Sequence, residues 1–129
     1  MGWKILVADD EVAIANVVAI KLRNAGLEVV VALDGQEAYE VALKERPDLM
    51  ITDLQMPGMN GLELCARLAA EIPGGVPTIL LTAKGFELSP DTTGTLPICR
   101  IMTKPFGPRD LLARVQEALA ELAPTGSRE

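Results

Sequence analysis

Apolar positions follow two rhythms along this chain. Short, nearly continuous runs at Lys4–Ala8 (KILVA), Glu28–Ala32 (EVVVA), Leu49–Thr52 (LMIT), Thr78–Thr82 (TILLT) and Ile98–Thr103 (ICRIMT) predict five strands. The fifth is the weakest because Arg100 interrupts it. The longer stretches between them place apolar residues at helical spacing. Ile14, Val17, Val18 and Leu22 mark a helix over Val12–Ala25, with Gly26 positioned to end it. Ala38, Val41 and Ala42 mark a second, which starts at Asp34 or Gly35 and closes before Pro47. A third spans about Gly61 to Glu71 and stops at Pro73-Gly74-Gly75. The last opens with Pro108 and carries Leu111, Leu112, Val115, Ala118, Leu119 and Leu122 as its apolar stripe. Ala83 to Pro97 fits neither rhythm, since Gly85, Pro90, Gly94 and Pro97 break it. Residues 1–122 therefore read as one domain and 123–129 as a loose tail.

Strands alternating with helices predict an α/β fold, a doubly wound five-stranded parallel sheet covered on both faces. Right-handed crossovers leave few topologies. Ligands of such sheets bind beyond the carboxyl ends of the strands, so the residues there carry the functional information. Asp9, Asp10 and Glu11 follow the first strand and Asp53 the third; Thr82 ends the fourth, and Lys104-Pro105 follows the fifth. Taken singly, each has a plain structural use. A strand-end acid caps a helix, a threonine favours strands, and Lys-Pro makes a turn. Their joint placement on successive strand ends is what points to chemistry. Clustered carboxylates need a neutralising cation, and their oxygens suit Mg2+. A carboxylate beside that cation can attack phosphorus. An ammonium and a hydroxyl can hold the transferred oxygens, which is most of what phosphoryl transfer requires. The Lys104-Pro105 bond keeps Lys104 out of helical backbone geometry and is able to be cis.

Composition narrows the choice. There are 129 residues, 49% hydrophobic but only 3% aromatic, so the core must be aliphatic with methionine. Met50, Met56, Met59 and Met102 are expected to pack there, and Trp3 to pack at the surface at the start of the first strand. No histidine is present, which excludes His-based triads and His-ligated zinc. Cys65 and Cys99 form no CxxC motif and read as small fillers. The net charge of −6 leads to the expectation of no direct nucleic-acid partner. The longest uncharged stretch, Ile72–Ala83, is too short and broken for a membrane span, and the N-terminus is not a secretory signal. A cytoplasmic location is expected.

Four segments carry a family resemblance: ILVADDE, PDLMITDLQMPGMNGLEL, TILLTAKG and MTKPFGPRDLLARV. Across about Lys4 to Leu122 the chain resembles the response-regulator receiver domain, including stand-alone chemotaxis-type receivers of two-component systems. The resemblance implies a flavodoxin-like three-layer (α/β/α) fold. It implies that Asp53 accepts a phosphoryl group from a phosphohistidine on a sensor histidine kinase or phosphotransfer protein. It implies that Asp9, Asp10, Asp53 and the backbone carbonyl of Gln55 hold Mg2+. Thr82 and Lys104 would bind the phosphoryl oxygens and relay the change to a downstream protein target. Such a domain is a signalling module, a monomer or weak dimer, with autophosphorylation and autodephosphorylation as its only enzymatic character.

The chain departs from the family pattern in two places. The switch position three residues before Lys104, usually aromatic, is Ile101. In Phe86–Pro97, where the family carries a regular helix, Pro90 and Gly94 predict a short, displaced or irregular one. Gln55 and Lys84 are expected at the site entrance, where they can tune attack of water on an acyl phosphate, or else stand as solvated loop residues. Three other readings compete. A haloacid-dehalogenase-type phosphatase needs a general acid two residues after its nucleophile, where Gln55 stands. A flavin binder needs flanking aromatics, and only Trp3, Tyr39, Phe86 and Phe106 exist. A degenerate receiver that signals without phosphorylation would have no need of the complete acceptor set found here.

Overall fold

The computed structural model describes residues 2–83 and 96–122. The element order is β1 (Lys4–Ala8), α1 (Val12–Asn24), β2 (Glu28–Ala32), α2 (Gly35–Glu45), β3 (Leu49–Asp53), α3 (Gly61–Glu71), β4 (Thr78–Thr82), β5 (Ile98–Thr103) and α4 (Pro108–Leu122). The expected helix within Phe86–Pro97, the entrance residue Lys84 and the tail 123–129 lie outside the described residues, apart from Leu96 and Pro97.

All five strands are parallel, in the order β2-β1-β3-β4-β5. Alternation along the strands splits the core in two. Ile5 and Val7 of β1, Ile51, Ile79 and Leu81 face α1 and α4. Leu6, Ala8, Met50 and the loop residues Met56 and Met59 face α2 and α3. Every residue of β3 and β4 is buried. The strands thus read as unbroken aliphatic runs because both faces are covered, and each fully buried Ile or Leu contributes about 2 kcal/mol of transfer free energy. The four methionines named above are all buried, as the aliphatic composition required.

Two expectations shift in detail. The buried stripe of α1 is Ala15, Val18, Ala19 and Leu22, whereas Val17 stands half in water. A 3.6-residue period admits both readings of an almost wholly apolar helix. Arg100 does not weaken β5. A bulge near Thr78 lets Cys99 bypass the pairing, and Arg100 reaches from the strand to Glu117 and Glu121 on α4. Cys65 is buried and Cys99 half-buried, as fillers would be. No helix among the described residues is long and apolar enough to cross a membrane.

The reversal of strand order falls between β1 and β3, with β2 on one side and β4-β5 on the other. Register then aligns the strand ends. Ala8 pairs with Thr52 and Thr82 with Thr103. Asp9 and Asp53 therefore leave adjacent strands at one level, and Lys104 leaves beside Thr82.

Candidate functional site

Backbone contacts just past the sheet set each acidic side chain. The Asp9 amide donates to the Ala32 carbonyl at 3.1 Å, extending β1 by one link. The Glu11 amide then donates to Asp9 Oδ1 at 2.9 Å, which orients that carboxylate. Glu11 occupies the N-cap of α1, but its side chain makes no capping hydrogen bond. On β3, Leu54 donates to the Leu81 carbonyl and Gly61 to the Leu54 carbonyl, both at 2.8 Å. This fold-back presses α3 against the strand end. A Cβ on Gly61 would lie 2.6 Å from the Asp53 carbonyl oxygen, so only glycine allows the approach. Gly58 takes a left-handed turn at φ 79° in the same loop. These two glycines shape backbone, Gly58 in the turn and Gly61 at the start of α3.

Lys104 crosses from the far side. Its amide donates to the Thr82 carbonyl at 2.7 Å, and the Lys104-Pro105 peptide is cis. Its Nζ lies 3.2 Å from Asp53 Oδ2, 3.2 Å from Glu11 Oε1 and 3.5 Å from Asp9 Oδ2. Asp10, Glu11, Asp53, Gln55, Ala83 and Lys104 wall an open cavity of about 430 Å³. Thr82, the residue before Ala83 in the chain, is buried. Asp9, Asp10, Glu11, Asp53 and Lys104 come together at the strand ends, and Lys84 lies outside the described residues. Ile101 is half-exposed on β5, away from this cavity wall.

Charge is poorly balanced here. Burial raises the pKa of Asp9, against the lowering effects of the Glu11 amide and Lys104. Burial raises that of Asp53 too, against Lys104 and a backbone hydrogen bond from Gln55. Burial alone would depress the Lys104 ammonium, but Asp9, Asp53 and Glu11 overcome it and hold the pKa above normal. One lysine serves three acids, and Asp9 Oδ2, fully buried, accepts no hydrogen bond. Oxygens of Asp9, Asp10 and Asp53 all lie within 4.8 Å of one another. A hard divalent cation fits this set: the donors are all oxygen, one is orphaned, and the charge is in excess.

The chain has known relatives in sequence and in fold. The profile of the response regulator receiver domain matches residues 5–116. The chain belongs to that family. Among solved structures, a CheY-like receiver domain protein from Methanospirillum hungatei superimposes with TM-score 0.84 at 28% identity, covering 94% of this chain and 96% of that one. The chemotaxis response regulator CheY4 of Vibrio cholerae gives 0.77 at 31%, covering 91% and 98%. Among characterised relatives, the phosphate regulon transcriptional regulatory protein PhoB of Pseudomonas aeruginosa is 38% identical over 98% of this chain and 56% of its own length. The DNA-binding response regulator MtrA of Mycobacterium tuberculosis is 38% identical over 92% and 51%. The receiver thus spans about half the length of these regulators.

The relatives overturn one expectation. An acidic charge balance had excluded nucleic acid as a partner, yet MtrA is a DNA-binding regulator. The inference failed because net charge describes one domain. In a regulator twice this length it says nothing about contacts made elsewhere in the protein.

Two features escaped sequence reasoning. Glu11 is a direct partner of Lys104 rather than a helix cap. A second cavity of about 550 Å³, apolar, lies between α1 and the turn into α4, and shares Ala83 and Lys104 with the acidic one. Val17, an outward apolar residue of α1, lines it and was its sequence signal, since it exceeds what one buried stripe needs.

Proposed function

We propose that this receiver takes a phosphoryl group onto Asp53 from a phosphohistidine of a sensor kinase or phosphotransfer protein, and that the phosphorylated state switches an output surface. The observation that carries this reading is the placement of Lys104 Nζ 3.2 Å from Asp53 Oδ2 inside an under-neutralised acidic cavity. A carboxylate oxygen of Asp53 forms the new bond to phosphorus as the donor's P–N bond breaks, and the electron pair leaves with the imidazole. Lys104 stands ready to pair with the incoming phosphoryl oxygens. The Thr82 hydroxyl is the second protein donor. Its movement would reach β5 at Ile101, where an aliphatic side chain repacks in place of a swinging ring. Asp9, Asp10, Asp53 and the Gln55 carbonyl would hold Mg2+, which supplies positive charge to the transferring oxygens. Gln55 at the cavity wall, and Lys84 after Thr82, would tune attack of water on the product.

The domain acts as a cytoplasmic signalling module rather than a turnover enzyme, because nothing at position 55 can serve as general acid toward a leaving alkoxide. In a protein built like PhoB or MtrA, the switched surface would govern a DNA-binding output. Intact-mass spectrometry with acetyl phosphate and Mg2+ tests the reading. One labile phosphoryl adduct is expected, lost in Asp53→Asn and with chelator. Absence of any adduct would favour a receiver that signals unphosphorylated. Steady turnover of phosphomonoesters would favour a phosphatase.

A further inference from the structure

We infer that Glu11 is a positioning residue that holds the Lys104 ammonium at the mouth of the acidic cavity, ready for an incoming phosphoryl oxygen. The inference rests on the phosphoacceptor reading of Asp53.

Lys104 has three N–H donors and three acidic neighbours. Two of these, Asp9 and Asp53, are buried at the floor. Glu11 is the third, and its side chain is 59% exposed at the rim. A lysine drawn only by the floor would settle between two under-neutralised carboxylates, on the nucleophile itself. The Glu11 carboxylate, hydrogen-bonded to Nζ at 3.2 Å, draws it toward the exposed rim. It leaves the ammonium shared between rim and floor.

Glu11 is well placed to do this because its backbone is already fixed. It stands at the N-cap of α1, and its amide is committed to Asp9 Oδ1. Its carboxylate serves no cap. The same residue thus orients Asp9 through the main chain and Lys104 through the side chain. An exposed ion pair contributes little to stability, so the consequence here is directional. Lys104 must give up part of its hold on Asp53 before it can bind a phosphoryl oxygen, and Glu11 has already weakened that hold.

A double-mutant cycle tests the inference, with adduct formation from acetyl phosphate and Mg2+ followed by intact mass. Glu11→Ala is expected to slow labelling about fivefold in the otherwise wild-type chain, and hardly at all in a Lys104→Ala background. Glu11→Gln keeps an acceptor oxygen at the same reach, so it should fall between wild type and Glu11→Ala. Far-UV circular dichroism and melting curves confirm folding of each variant. Equal slowing in both backgrounds would assign Glu11 a role in α1 alone and overturn the inference. Unchanged labelling of Glu11→Ala would overturn it too. If the wild-type chain forms no adduct, the phosphoacceptor reading itself fails, which separates the two outcomes.

Discussion

Asp9 keeps a buried carboxylate oxygen without a hydrogen bond. Its side chain is fully buried, one oxygen is held by the Glu11 amide, and the other accepts nothing. Burial raises its pKa in the folded state. A raised acid stabilises the fold below its unfolded pKa, and that contribution is lost as pH climbs through the folded value. In chelator, at pH values above its raised pKa, the buried Asp9 carboxylate therefore opposes folding. Asp9→Asn should melt about 3 °C higher than wild type at pH 7, and the gap should close toward pH 4, as differential scanning fluorimetry across a pH series would show. The residue types at this site were legible from the sequence, because strand-end placement follows from counting elements. The partner of each was not. That Lys104 meets Glu11 as well as Asp53 depends on the reach of two side chains, which no spacing encodes.

The elements around the site are held by local devices, and their starts matter more than their lengths. α3 opens with a capping box, in which Asn60 accepts from the Glu63 amide at 2.8 Å and Glu63 accepts from the Asn60 amide at 2.9 Å. Asn60→Ala should cost about 1 kcal/mol in urea unfolding. One residue on, Gly61 allows α3 to lie against the Asp53 carbonyl. Gly61→Ala should cost about 2 kcal/mol and slow adduct formation, because the strand end bearing the nucleophile must shift to admit a methyl group. Element boundaries were largely readable, since apolar runs and Pro-Gly breaks are strong signals. The inward face of α1 was not: with Ile14, Val17, Val18 and Ile20 all apolar, only its packing on β1, β2 and α4 decides which side is buried. β5 looked weak for a similar reason. Arg100 has its partners on α4, distant in sequence.

At the scale of the whole molecule, two aliphatic cores clamp one sheet, and the site sits where the strand order reverses. The acidic end of the sheet works against that assembly, and a bound cation would relieve it. Added Mg2+ should raise the melting temperature by mass action, up to about 2.7 kcal/mol at a hundredfold excess over its dissociation constant. The rise should shrink in Asp9→Asn and Asp53→Asn, as titrations followed by fluorimetry would show. The two helices that begin beside the site share a further feature. A methyl group on Gly35 would strike the Met59 backbone, just as one on Gly61 would strike the Asp53 carbonyl. Both glycines are thus fixed by the path of the β3–α3 loop rather than by any reaction. In a saturation mutagenesis library selected for folded protein alone, with signalling irrelevant, codons 35 and 61 should still admit almost nothing but glycine. The acidic positions a few ångströms away should drift freely toward neutral residues. Tolerance to mutation would then map the opposite of the chemistry: the reactive groups are replaceable, and the bare backbone beneath them is not.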